Sequence, residues 1–112
     1  MRLDLFAGVP VSDFEAAMPW YSRLFGSEPA FIPHATEAVW QLGEHRFVYI
    51  DEDPKRAGHA VCTVFVEDLD ERVDGIASRG IEPSDRETYP GKARKVIYRD
   101  ADGNEISFGG SV

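Results

Sequence analysis

The chain repeats one pattern of signals, and this repeat constrains the fold more than any other feature. Val11-Ser-Asp-Phe-Glu15 is matched 55 residues later by Val66-Glu-Asp-Leu-Asp70, and Gly26-Ser-Glu-Pro29 is matched by Gly80-Ile-Glu-Pro83. Neither half alone could bury both an apolar helix stripe and an apolar sheet face, whereas two similar halves can cover each other. The sequence therefore predicts two copies of one supersecondary unit.

The first copy opens with a strand and a helix. Apolar residues alternate over residues 3–11, as expected for a half-buried strand. Ser12, with Glu15 three residues later, predicts a capping box at the helix start, and Gly26 predicts its end. Pro19 lies inside this helix, where proline removes a hydrogen bond, so we expect a kink or a broken first turn.

A hairpin completes each copy, and a polar link joins the two copies. Residues 37–50 predict the first hairpin, and the Pro- and Gly-containing residues 51–58 predict the link. The second copy then predicts a strand over 59–66, a helix over 68–79 capped by Asp68 with Glu71, and a hairpin. The prediction is an α+β fold, a single domain over residues 1–112 built from βαβββ repeats 1–53 and 58–112.

The second hairpin turns at Asp102-Gly103-Asn104. Glycine tolerates positive φ, and Asp and Asn bond their own backbone, so a tight reversal is expected. Asp100, Asp102 and Asn104 imitate the start of a calcium loop, but the loop's sixth residue is not Gly and Ser111 stands where a bidentate Glu is needed. Calcium binding is therefore not predicted.

Composition excludes several classes of function. The net charge of −8 argues against nucleic-acid binding, which needs clustered Lys and Arg. No apolar run reaches the length of a membrane span or a signal peptide, and the lone Cys62 gives no disulfide framework. We expect no membrane partner, a cytoplasmic location, and a core role for Cys62.

These features together carry a resemblance to a known family. The features are a Val-x-Asp helix start, Trp20-Tyr21 inside the helix, Leu24-Phe25-Gly26 at its end, and Asp100-x-Asp-Gly-Asn-x-Ile106. In this order and spacing the chain resembles the glyoxalase, bleomycin-resistance and extradiol dioxygenase family, the vicinal oxygen chelate superfamily. The resemblance implies paired βαβββ modules, a mixed sheet curled around a cavity with helices outside, and a homodimer.

The resemblance also locates a metal site that this sequence does not fill. Enzymes of the family hold a divalent metal in the cavity, and their ligand positions correspond here to four residues that are not usual metal ligands: Phe6, Tyr49, Val61 and Ser107. A misalignment by two residues would keep the strand face and point His59, Glu105 and Asp4 into the cavity instead.

Strand alternation gives a draft of the cavity lining. If Phe6 and Val61 point inward, their alternate neighbours do so too, and the first hairpin adds aromatic rings. The predicted ligand-binding residues are Phe6, Trp40, Phe47, Tyr49, His59, Val61, Thr63, Glu105 and Ser107.

Two functions from different classes fit this draft. The first is a metal-free binding protein, like bleomycin-resistance members, with no catalytic residue and no cofactor; its excess negative charge would suit a cationic or aromatic small organic ligand. The alternative is a metal-dependent glyoxalase-like lyase or isomerase, or a dioxygenase, that uses His59 with Glu105 or Asp4.

Overall fold

A computed structural model describes residues 2–111 and contains two modules with the same order of elements. The elements of the first module are β1 (Leu5–Val11), α1 (Phe14–Phe25), β2 (Phe31–His34), β3 (Glu37–Gly43) and β4 (Arg46–Glu52). Those of the second are β5 (Val61–Phe65), α2 (Leu69–Ser78), β6 (Asp85–Tyr89), β7 (Ala93–Arg99) and β8 (Glu105–Ser111).

Each module forms its own four-stranded mixed sheet. The strand orders are β1-β4-β3-β2 and β5-β8-β7-β6, with the first pair parallel and the others antiparallel in both sheets. The predicted α+β class is confirmed, and the sheets do not close into a barrel. Strands β1 and β5 are each at one edge of a sheet.

The N-cap of helix α1 lies one residue later than predicted. Asp13 is the N-cap, and its carboxylate accepts a hydrogen bond from the backbone N–H of Ala16. Ser12 is not a cap because its backbone N–H and its hydroxyl both bind the Asp102 carboxylate, so the capping-box prediction was wrong. The helix runs through Pro19 without interruption, and it ends as predicted at Gly26, which has a φ of 75°.

Helix α2 also differs from its predicted cap. Asp68 is at the N-cap position, but it makes no side-chain capping bond, because its carboxylate accepts from Arg72 Nε at 2.8 Å. The second capping box is therefore absent. At the other end of the helix, Arg79 donates to the backbone carbonyls of Arg23 and Leu24, which are otherwise unsatisfied at the end of α1. This side chain joins the two helix ends.

One apolar core is shared by both modules. Each helix packs on one face of the sheets, and the fully buried core residues come from both halves: Val9, Val11, Tyr21, Leu24, Trp40, Ile50, Ile76, Tyr98 and Ile106. The opposite face of each sheet is turned away from this core. We call these surfaces the open face of the first sheet and the open face of the second sheet.

The Asp100–Asn104 turn connects the modules. Asn104 is fully buried; its amide oxygen accepts from the N–H groups of Gly58 and Ala60, and its amide nitrogen donates to the carbonyl of Pro10 and to Asp100. The hydroxyl of Tyr21 on α1 donates to Asp100 Oδ2 at 2.7 Å and so joins the same network. The turn thus fastens β1, α1 and the link to β8.

In the part of the chain that the structure describes, no helix is long and apolar enough to cross a membrane.

Candidate functional site

Three phenylalanine rings meet on the open face of the first sheet. Phe6 of β1 and Phe47 of β4 are paired across the parallel strands, and their rings stack with centroids 4.4 Å apart and planes within 8°. Phe31 of β2 meets the edge of this stack, with its centroid 6.4 Å from that of Phe47. Phe6 remains 47% exposed and Phe31 46% exposed, so both residues are partly accessible to solvent.

Tyr49 extends this aromatic surface along β4. It lies beside Gly8, its partner on β1, and a Cβ at Gly8 would come within 2.5 Å of the Tyr49 ring carbon Cζ and hydroxyl. Glycine is therefore needed for the ring to lie over the backbone of β1. Phe6, Phe47 and Tyr49 were all predicted to line a cavity, and the structure brings them together on one face.

Trp40 lies on the opposite face. It pairs with Val48 rather than Tyr49, is 1% exposed, and packs against Tyr21 and Phe25 of α1. Its indole N–H donates to the carbonyl of Ser27 at 3.0 Å. The structure thus differs from the prediction that Trp40 lines the cavity: its ring belongs to the core.

The open face of the second sheet carries the other predicted residues. Val61 and Thr63 lie on β5, paired with Glu105 and Ser107 of β8. Val61 is 71% exposed, whereas Ser107 is fully buried and its hydroxyl has no hydrogen-bond partner among residues 2–111. His59 precedes β5 and is exposed. These residues are less aromatic than those of the first sheet, apart from Phe65 at the end of β5.

A groove of about 790 Å³ brings residues of the two sheets together. Phe47 of the first sheet and Thr63 and Phe65 of the second sheet line it, and Cys62 lies in its wall. Burial raises the pKa of the Cys62 thiol, which keeps it protonated and makes it a poor nucleophile. The groove is therefore not suited to thiol chemistry, and its lining combines apolar residues with the charged residues Arg46, Glu67, Asp68 and Arg72.

The family follows from comparison with known proteins. The model of the Glyoxalase/Bleomycin resistance protein/Dioxygenase superfamily matches residues 2–108. The chain belongs to this superfamily. A crystal structure of a glyoxalase / bleomycin resistance protein from Catenulispora acidiphila is 55% identical, with a TM-score of 0.95, and covers 99% of this chain and 100% of that one.

Two solved structures of lower sequence identity show likeness of the fold alone. A bleomycin-binding protein complexed with bleomycin is 20% identical, with a TM-score of 0.78 and coverage of 99% of this chain and 100% of that one. Lactoylglutathione lyase from Agrobacterium tumefaciens is 16% identical, with a TM-score of 0.76 and coverage of 98% and 94%. No curated protein sequence matches the chain.

The four residues that the resemblance assigns to the superfamily's metal-ligand positions are not usual metal ligands. Phe6 is stacked on Phe47, Tyr49 lies over Gly8, and Val61 offers only methyl groups. Ser107 supplies a single hydroxyl, which is sealed from solvent. Such ions need imidazole, carboxylate or thiolate donors, so this donor set does not fit the superfamily's metal.

Asp4 and Glu105, two of the three donors of the shifted alignment, make other contacts. His45 Nδ1 lies 2.7 Å from Asp4 Oδ1, and this hydrogen bond lowers the pKa of the Asp4 carboxyl. Glu105 accepts from Arg99 at 3.2 Å. Within residues 2–111, His59, Asp4 and Glu105 do not form a group of converging donors.

Phe31 is a member of the aromatic cluster that the sequence analysis missed. It lies on the four-residue strand β2, which contains Pro33 and is too short for alternation to indicate a face. The contact between Phe31 and Phe47 follows from the pairing of β2 with β3, which the sequence does not show.

Proposed function

We propose that this protein binds and sequesters a planar aromatic small molecule on the open face of the first sheet, with no metal at the superfamily's metal position. The observation that carries this proposal is the parallel stack of Phe6 on Phe47, half-exposed and flanked by Phe31 and Tyr49. Parallel rings that remain partly exposed offer a surface on which another planar ring can stack. No catalytic residue is needed for such a role.

The energetics of stacking favour an aromatic ligand. An aromatic pair contributes about 0.5–1.5 kcal/mol beyond the burial of its area, and a ligand cation over a ring adds a similar amount. The chain's net charge of −8 would attract a cation, and Glu37 and Asp51 lie on the same face beyond Tyr49. A planar aromatic cation therefore suits this surface best.

The comparisons supply support of a general kind. The fold is shared with a protein that was crystallised with bleomycin, so this architecture can hold a large organic ligand. It is shared equally with a lactoylglutathione lyase, but the donor set described above does not fit the superfamily's metal. Binding without metal chemistry is the role that agrees with the residues present.

We also propose that the protein acts as a homodimer. Leu3, Leu5, Val61 and Phe65 are 65–77% exposed, and the last three lie on the edge strands β1 and β5. A second copy would cover these apolar side chains, whose exposure to water is unfavourable. Sedimentation at micromolar concentration should give twice the chain mass of 12.5 kDa; a clean monomer would refute this part of the proposal.

Calorimetric titration tests the binding site. The panel contains bleomycin, planar aromatic cations such as ethidium, and uncharged aromatic compounds of similar size. Phe6→Leu should weaken binding about 2- to 10-fold, the equivalent of one stacking contact. Gly8→Ala should also weaken it by displacing the Tyr49 ring, while the backbone at this position accepts alanine.

Tyr89→Leu is the matched control, because Tyr89 is as exposed as Phe6 but lies on β6 of the second sheet. Its binding should equal that of the wild type. If no compound binds, or if Tyr89→Leu weakens binding as much as Phe6→Leu, the proposal fails.

A further inference from the structure

One histidine and two carboxylates, residue types that can bind metals, meet at the end of the first sheet that lies beyond Tyr49. His34 Nε2 lies 3.0 Å from Glu37 Oε1 and 4.0 Å from Asp51 Oδ1. One donor atom from each residue lies within 4.8 Å of the other two, and the described part of the chain holds no other such group of His, Cys, Asp or Glu. We call these three residues the His34 cluster.

Strand pairing builds this cluster. Glu37 and Asp51 are direct partners across β3 and β4, and His34 is the partner of Glu37 across β2 and β3. Like charges placed directly opposite each other destabilise a strand pair. A positive charge between these two carboxylates would remove that repulsion. The sequence analysis did not include His34 among the candidate ligands; in the structure His34 is the last residue of β2.

His45 shows what distinguishes the His34 cluster from an ordinary exposed ion pair. His45 also touches two carboxylates, Asp4 and Glu44, but at opposite ring nitrogens, Nδ1 and Nε2. Those carboxylates cannot share one ion with a single imidazole nitrogen. In the His34 cluster both carboxylates face Nε2, which is the arrangement that chelation requires.

We propose that the His34 cluster binds a divalent first-row transition-metal cation, such as Zn²⁺. Ligand atoms about 2.0–2.2 Å from such an ion lie about 3.0–3.6 Å apart, so the present spacing needs only small side-chain movements. Imidazole with two carboxylates is a nitrogen and oxygen donor set that these cations accept. All three residues are partly exposed, so an ion and its remaining water ligands have access.

Thr36 supplies the second layer of the site. Its backbone N–H donates to His34 Nδ1 at 3.3 Å, and its hydroxyl lies 3.4 Å from the same nitrogen. Nδ1 is therefore an acceptor in this arrangement, and Nε2 carries the proton that faces Glu37 at 3.0 Å. A cation that takes the Nε2 lone pair would shift this proton to Nδ1, where the Thr36 hydroxyl can accept it, as the other nitrogen of a metal-bound imidazole characteristically donates to a neighbouring group.

This site is separate from the superfamily's metal position and from the stacked rings. Asp51 follows Tyr49 by two residues on β4, which is about 7 Å along a strand. The two sites share the charge of Glu37 and Asp51, so a bound metal ion would weaken the attraction of this face for a cationic ligand and leave the stacking contacts in place.

Titration of the full chain with zinc chloride in a calorimeter tests the site. We expect one ion per chain, and a loss of affinity of at least about 10-fold in His34→Ala, Glu37→Gln and Asp51→Asn. His45→Ala, which removes the other carboxylate-paired histidine, should bind as the wild type does. Thermal unfolding with and without zinc gives a second readout: zinc should raise the midpoint of the wild type and of His45→Ala but not that of Asp51→Asn.

Glu37→Gln and Asp51→Asn preserve side-chain shape, so they remain informative if His34→Ala unfolds. Absence of binding at millimolar zinc would overturn the proposal. So would binding that persists in all three cluster variants, or binding that disappears in His45→Ala.

Discussion

Replacement of Asn104 by alanine should cost this protein a large part of its stability. The Asn104 side chain is fully buried and makes four hydrogen bonds, of 3.1 and 3.0 Å from Gly58 and Ala60 and of 2.7 and 2.9 Å to Pro10 and Asp100. Alanine leaves two backbone N–H groups and one carbonyl without a partner. These three groups come from the end of β1 and from the link, so the loss falls on the junction of the modules.

The magnitude follows from the cost of an unpaired buried polar group. At about 1–3 kcal/mol for each group, with some relief from water, the free energy of unfolding should fall by about 3–6 kcal/mol. A domain of this kind has about 5–15 kcal/mol in total. Asn104→Ala should therefore be close to unfolded in mild denaturant.

Urea denaturation followed by circular dichroism measures this change. Gln41→Ala is the control, because Gln41 is an exposed amide whose side chain bonds, within residues 2–111, only to the nearby Gly43 carbonyl. Its change should stay within about 0.5 kcal/mol. If Asn104→Ala costs less than about 1 kcal/mol at an unchanged denaturant slope, the turn does not hold the modules together and the reasoning is wrong.

Two further predictions concern residues of the core. Burial, followed by the Asp100 carboxylate, raises the pKa of the Tyr21 phenol, so the folded state holds this proton more tightly than the unfolded state does. The contribution of this raised pKa to the free energy of unfolding is therefore complete below about pH 10, and it falls by up to about 1.4 kcal/mol per pH unit above that. Denaturant unfolding between pH 9 and 11 should show a steeper loss of stability in the wild type than in Tyr21→Phe. Equal slopes would contradict this prediction. Trp40→Phe should lower the free energy of unfolding by about 1–3 kcal/mol, because packing is lost and the Ser27 carbonyl loses its partner. The affinity for the aromatic ligand should stay unchanged. Weaker binding at unchanged stability would place Trp40 in the binding site.

The fold could be predicted from local signals, most of which occur in both halves of the chain. The alternation in β1, the Gly26 helix end and the Asp102-Gly103-Asn104 turn each depend on a few neighbouring residues. The cap of α1 could not be predicted in the same way. Ser12 and Asp13 are both good N-caps, and the choice between them depends on Asp102, 90 residues away from Ser12.

The face occupied by Trp40 depends on a single irregularity. Gly43 pairs with Arg46, and a regular ladder from that pair would set Trp40 opposite Tyr49, on the open face. The register shifts between Gln41 and Gly43, so Trp40 pairs with Val48 and turns toward α1. A one-residue shift moves every following side chain to the other face, and nothing in the local sequence marks it. Pairing of distant strands likewise created the His34 cluster and the contact of Phe31 with Phe47.

Ring resonances of the aromatic residues give the most direct test of binding on the open face of the first sheet. The protein, labelled with ¹³C in its Phe and Tyr rings, is titrated with the planar aromatic cation that binds best in calorimetry. Stacking predicts large ring-current shifts at Phe6, Phe47 and Tyr49, and none at Tyr89 on the second sheet or at the buried Tyr98. Shifts confined to Tyr89, or saturation of binding with Phe6 and Phe47 unmoved, would contradict the account.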